Sequence, residues 1–336
     1  MCGDVGSDPR RREGPSLCGP AVYAACGPVP SPAMNYHQQF HRAAIERGIP
    51  EDEVGKFAEF LRFAIWTSGC PNGVPVGRRG GLPRLPVGME WPSSENGPLP
   101  FIASLDCAAL PRVDGLALPA DGSLLLFLHH EWADESCSIA KEQEFARIVY
   151  VPAGTDTATA EEPDHDEDMF CDVRLDFVGR EYDLFATVNA ELPRWFDDEA
   201  SRSDGQEHLA RNLAHRKELC ALVGELWPED NIADIYLGGY SVDTCGLVTE
   251  NMYDTPETGM AEDILEAREK AGELVVPPDE RQLRLEEEAL RLMREWVPLA
   301  QFDPGDEVYI ARFLIRHDDL AAGRFDKALS FTAFTE

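Results

Sequence analysis

The stretch from Gly80 to Asp106 constrains the fold more than any other part of the chain. Pro83, Pro86, Pro92, Pro98 and Pro100 crowd around Trp91, and the apolar run Phe101-Ile102-Ala103-Ser104-Leu105 follows. It reads as a proline-stiffened loop feeding a strand. Gly80-Gly81 at its start marks a turn that needs unusual dihedrals. A fainter copy recurs later. Ala103, Ser104, Leu105 and Asp106 align with Ala300, Gln301, Phe302 and Asp303. Gly238-Gly239 stands upstream of the second copy as Gly80-Gly81 stands upstream of the first. Downstream, Leu128-His129-His130-Glu131 has its counterpart in Ile315-Arg316-His317-Asp318. The preserved order predicts two related halves, with helices at 257–296 inserted in the second.

Hydropathy periodicity fills in the elements. Asn35 caps a helix running to about Arg47. Pro50 starts a second helix, where Val54, Phe57, Leu61, Ala64 and Ile65 share one face. Strands are predicted at 100–105, 123–130, 146–151, 308–316 and 328–334, and a helix at 206–226. Two more helices fill 257–296, interrupted at Val275-Val276-Pro277-Pro278. Strands and helices do not alternate as βαβ units. The expected fold class is therefore α+β: two pseudo-repeated halves on mostly antiparallel sheets flanked by helices. Residues 1–33 are rich in Gly, Pro, Ser and Cys and read as a disordered tail, or as an upstream start with Met34 the true initiator. Residues 34–336 read as a single domain, its first half about 57–200 and its second about 201–336.

Charge and cysteine content limit the partners. The 336 residues carry 62 acidic and 30 basic side chains, a formal charge of −32. Nucleic acid and anionic membranes are excluded as partners; the acidity suits a basic protein as partner, or serves solubility alone. No run of about eighteen apolar residues exists to span a bilayer. The nine cysteines are scattered and form no Cys-x-x-Cys, which suits reduced thiols in a cytoplasm.

The segments Gly80–Pro92, Gly97–Ala103, Leu125–Leu128, Arg147–Val151 and Ile315–Asp326 resemble the YwqG-like family, a group of bacterial proteins described as a domain of unknown function. The resemblance spans roughly residues 57–334. It implies an α+β fold and no established enzyme activity, and it points to an immunity-type role against a toxin. The family's pattern has glutamine where this chain has Ser104, and Gly-Tyr-Pro followed by Gln where this chain reads Gly239-Tyr240-Ser241 and then Cys245. Of these glutamines Gln301 remains.

No complete catalytic set emerges. There is no Gly-x-Ser-x-Gly, phosphate loop or dinucleotide fingerprint. His37 and His41 sit one helical turn apart without a third ligand, so no metal and no cofactor are expected. The main reading is a non-catalytic binding protein. Its candidate ligand-binding residues are Trp91, Asp106, His129, Gln301, Asp303 and His317, in a cleft between the halves. The alternative is a hydrolase-like enzyme using His129, His130 and His317 with Asp106 and Asp303, since imidazole and carboxylate are suited to proton transfer.

Overall fold

The computed structural model describes residues 35–136, 138–163, 181–196, 204–228, 233–242, 255–302 and 309–334. The tail at 1–33, Asp303 and Cys245 lie outside them. The strands are β1 (Arg62–Ser68), β2 (Gly77–Arg79), β3 (Arg84–Pro86), β4 (Ser93–Ser94), β5 (Gly97–Pro98), β6 (Phe101–Asp106), β7 (Ser123–Leu128), β8 (Ala146–Val151), β9 (Thr157–Thr159), β10 (Tyr182–Glu191), β11 (Ile235–Gly238), β12 (Trp296–Phe302), β13 (Tyr309–Arg316) and β14 (Leu329–Phe334). The helices are α1 (Tyr36–Glu46), α2 (Glu51–Ala58), α3 (His130–Asp134), α4 (Ile139–Glu142), α5 (Asp204–Arg211), α6 (Arg216–Leu226), α7 (Pro256–Lys270), α8 (Arg281–Glu295) and α9 (His317–Ala321). The fold is α+β.

Ten strands form one antiparallel sheet, in the order β14-β13-β12-β11-β1-β10-β2-β6-β7-β8. Its two wings repeat each other. Arg78 lies opposite Ser104 as Tyr236 lies opposite Gln301. The ladder slips between Phe101 and Ala103 in one wing and between Pro298 and Ala300 in the other. β7 and β13 each run into a five-residue helix, begun by His130 and by His317. A 3₁₀ turn precedes β8 at Gln143–Phe145 and β14 at Phe325–Lys327.

The centre of the sheet departs from the periodicity. The spacing of Leu61, Ala64 and Ile65 extends α2 to Ile65, yet the helix ends at Ala58 and residues 62–68 form β1. Phe63, Ala64, Ile65 and Thr67 are all buried while Trp66 and Ser68 are half-buried, so buried Ala64 interrupts the alternation that betrays a strand. Its partner β10 also escaped the sequence reading. The two pair from Arg62↔Glu191 to Ser68↔Phe185. Each first strand is thereby exchanged: β1 borders β11 and β10 borders β2. A continuous ladder joins the wings where a cleft was expected. The helix predicted at 206–226 divides into α5 and α6, because buried Glu53 anchors the intervening turn through the His215 ring at 2.8 Å.

Three apolar clusters hold these layers. On one face, Tyr36, Phe40 and Ala44 of α1, Val54 and Phe57 of α2, and Leu219, Leu222 and Val223 of α6 bury Phe63, Ile65, Ala103, Leu126, Leu237, Ala300 and Phe313. Each fully buried Leu, Ile or Phe contributes ~1.5–3 kcal/mol. On the opposite face, Leu85, Leu99 and Trp91 of the proline-rich segment cover Phe101, Leu125, Phe127 and Val149. The other wing is covered by α7 and α8, whose Met260, Leu265, Leu285 and Leu292 pack on Trp296, Leu314 and Phe331.

The sheet's outer edges are closed by reciprocal caps. Gln143 accepts from Ser330 N–H at 2.7 Å and donates to Ser330 O at 3.0 Å, so its amide pairs with β14 as a neighbouring strand would. Thr332 N–H donates to Glu142 Oε1 at 2.7 Å. In return, Phe325 packs on Tyr150 of β8 with ring centroids 5.1 Å apart. The Gln143 and Glu142 bonds satisfy β14 edge groups that would otherwise invite intermolecular pairing.

Candidate functional site

The two glycine pairs end β2 and β11 in left-handed backbone: φ is +68° and +71° at Gly80 and Gly81, and +79° and +73° at Gly238 and Gly239. The second turn is tightly held. Glu191, the last residue of β10, accepts from Tyr240 N–H at 2.8 Å and from Trp66 Nε1 at 2.9 Å. Arg62 donates to Gly239 O at 3.1 Å and lies 4.2 Å over the Tyr240 ring. Gln301 is 1% exposed. Its Nε2 donates to Tyr240 O at 2.9 Å and its Oε1 accepts from Val242 N–H at 2.7 Å. Buried Arg312 donates to Val242 O at 3.1 Å. Gln301 is thus a backbone mimic that ties residues 240–242 to the sheet. Ser104, its register equivalent, is half-buried and too short to span the same distance.

Gln301→Leu is expected to remove ~2–3 kcal/mol of stability, because the Tyr240 carbonyl and the Val242 N–H lose their side-chain partners in a partly buried place. Urea titration of the variant measures it. A loss below ~0.5 kcal/mol contradicts the pinning role.

The other sequence candidates have separate surroundings. Trp91 Nε1 donates to Leu99 O at 2.8 Å and the ring packs edge-on against Phe127. Exposed Asp106 accepts from Ala108 N–H at 2.9 Å, closing a local turn. His129 is fully buried, stacked at 3.6 Å on Trp132, whose N–H its Nδ1 accepts at 3.4 Å. His130 is 2% exposed against Tyr309, and burial pushes its pKa down to about 4. His317 is half-buried; desolvation and the nearby Arg62 charge lower its pKa. His37 is half-buried and packs edge-on against Phe63 at 5.0 Å. Arg78 pairs with Glu181, and with Asp183 at 3.5 Å. Among the described residues, no group of three or more His, Cys, Asp or Glu is placed to hold a metal ion. No helix among them is long and apolar enough to cross a membrane.

Sequence reasoning missed the middle of the sheet. Between the proline-rich cover and the α7–α8 cover, alternation aims Trp66, Ser68, Tyr236, Phe185, Thr187, Asp183, Arg78 and Ser104 away from the helices of α1, α2 and α6. Trp66 meets Tyr236 edge-on at 5.3 Å. Trp66, Tyr236, Phe185, Thr187 and Ser104 are half-buried, and Arg78 and Asp183 are exposed. The aromatic residues at 66 and 236 stood in plain view, but only the pairing of β1 with β10 and β11 makes one surface of them.

Residues 77–332 match the family described as Domain of unknown function (DUF1963). The match begins at β2 and ends within β14. Among curated proteins, no significant match is found.

Proposed function

The chain belongs to the DUF1963 family, and from that premise we propose that it is a non-catalytic binding protein whose partner is a basic protein. One observation carries the reading: the middle of the sheet presents half-buried aromatic and short polar side chains beside carboxylates, in a chain of net charge −32. Catalysis by the histidines has weaker support, since His129 is committed to Trp132 and His130 is packed on Tyr309. The YwqG-like segments at 80–92 and 315–326 lie inside the matched residues, which supports placing the chain in that group. An immunity-type pairing with a basic toxin fits the same charge logic.

The test is retention of the purified protein on an immobilised arginine- and lysine-rich protein and on an acidic protein of similar size, at about 0.15 M salt. Retention on the basic protein alone is expected. Equal behaviour on both overturns the reading.

A further inference from the structure

We propose that the strip formed by Trp66, Tyr236, Phe185 and Asp183 docks an extended segment of the basic partner, with an arginine or lysine side chain lying over Trp66. This rests on the binding role proposed above and names its site. The strip is continuous. Tyr236, Trp66 and Thr187 lie abreast on β11, β1 and β10, followed by the Ser68–Phe185 pair and then by Asp183, Arg78 and Ser104 on β10, β2 and β6. From Thr187 to Asp183 it runs about 13 Å, the reach of a few extended residues.

Its chemistry selects a cation. Indole is the best aromatic acceptor for an ammonium or guanidinium group. The Trp66 N–H donates to the Glu191 carboxylate at 2.9 Å, which draws negative charge to the ring's edge and enriches its face. At the far end, among the described residues, two carboxylates, Glu181 and Asp183, pair with one guanidinium, that of Arg78. Among the described residues, Trp66 and Phe185 belong to none of the three apolar clusters. The occupant follows from charge. A second copy at −32 is repelled, as is nucleic acid, whereas a basic segment is attracted to the carboxylates at the strip's two ends, Glu191 and the Glu181–Asp183 pair.

The probe is an acetylated hexapeptide alternating arginine with serine. Its control replaces arginine with citrulline, the same shape without the charge. Titration by calorimetry against the full chain is expected to show binding of the arginine peptide and none of the citrulline peptide. Trp66→Phe keeps an aromatic contact with Tyr236 and is expected to weaken binding about fivefold. Asp183→Asn alters an exposed side chain, leaves the fold intact, and is expected to weaken it about threefold or more. Glu262→Gln, on the exposed side of α7, leaves binding unchanged. Equal affinity of Asp183→Asn and wild type, or an equal loss from Glu262→Gln, overturns the strip as the site. Retention of the basic protein without any hexapeptide binding also overturns the strip while the binding role stands. Failure of both overturns both.

Discussion

Gly239→Ala is expected to destabilise the protein by ~3 kcal/mol or more, while Gly81→Ala, its counterpart in the other wing, costs only ~1 kcal/mol. Both glycines have nearly the same backbone, φ +73° and +71°, so the strain of a left-handed alanine is common to both. What differs is the wall each Cβ meets. At Gly239 it would lie 2.1 Å from Glu191 Oε2. That carboxylate is held by Trp66 Nε1 and Tyr240 N–H and cannot withdraw without breaking both bonds. At Gly81 the nearest atoms belong to Glu181 at 2.9 Å, and that side chain is 51% exposed and swings aside into water. Chemical denaturation of the two variants side by side measures the difference. Equal losses would mean that backbone strain alone sets the cost.

The second large effect is a pH dependence carried by Glu142. Burial raises its pKa from 4.5 to about 8, against the opposing pull of the Thr332 N–H bond and the Arg312 charge. A carboxyl whose pKa is raised on folding adds stability in its protonated form. That contribution is complete below about pH 4.5 and is lost as pH climbs through 8. Glu142→Gln keeps an oxygen to accept from Thr332 and removes the titration. It is expected to match wild type near pH 5 and to exceed it by a few kcal/mol near pH 9. His130 acts over another window: its pKa falls to about 4, so its contribution is complete above its ordinary value and is lost as pH falls through 4. Melting temperatures from pH 4 to 9 for both chains check the sign. A wild-type protein that gains stability above pH 7 relative to Glu142→Gln contradicts it.

Much of the fold is written locally. Asn35 caps α1 by accepting from Gln38 N–H at 2.9 Å, and Pro50 stands at the start of α2. Phe101–Asp106, Ser123–Leu128 and Ala146–Val151 announce themselves as apolar runs bounded by turns. The pairing of Ser104 with Gln301 was legible from the order of short elements, and the ladder register places those two residues equivalently. The middle of the sheet was not legible. Ala64 and Ile65 of β1 continue the helical spacing of Val54, Phe57 and Leu61, so only its distant partners β10 and β11 decide its conformation. The role of Gln301 was hidden for the same reason. A buried glutamine in a strand looks like a ligand contact until the segment it ties down, Tyr240–Val242, is seen beside it.

The exchange of first strands has a consequence for synthesis. Arg62–Ser68 leaves the ribosome long before Tyr182–Glu191 and Ile235–Gly238, the two segments that flank it. At about 5–20 residues per second, this sticky apolar ribbon waits on the order of ten seconds with both edges bare. The wing of β10, β2, β6, β7 and β8 is complete once residue 191 is made, whereas β1 still waits for β11. The nascent chain is therefore most exposed to aggregation in mid-translation, while this strand waits for its neighbours.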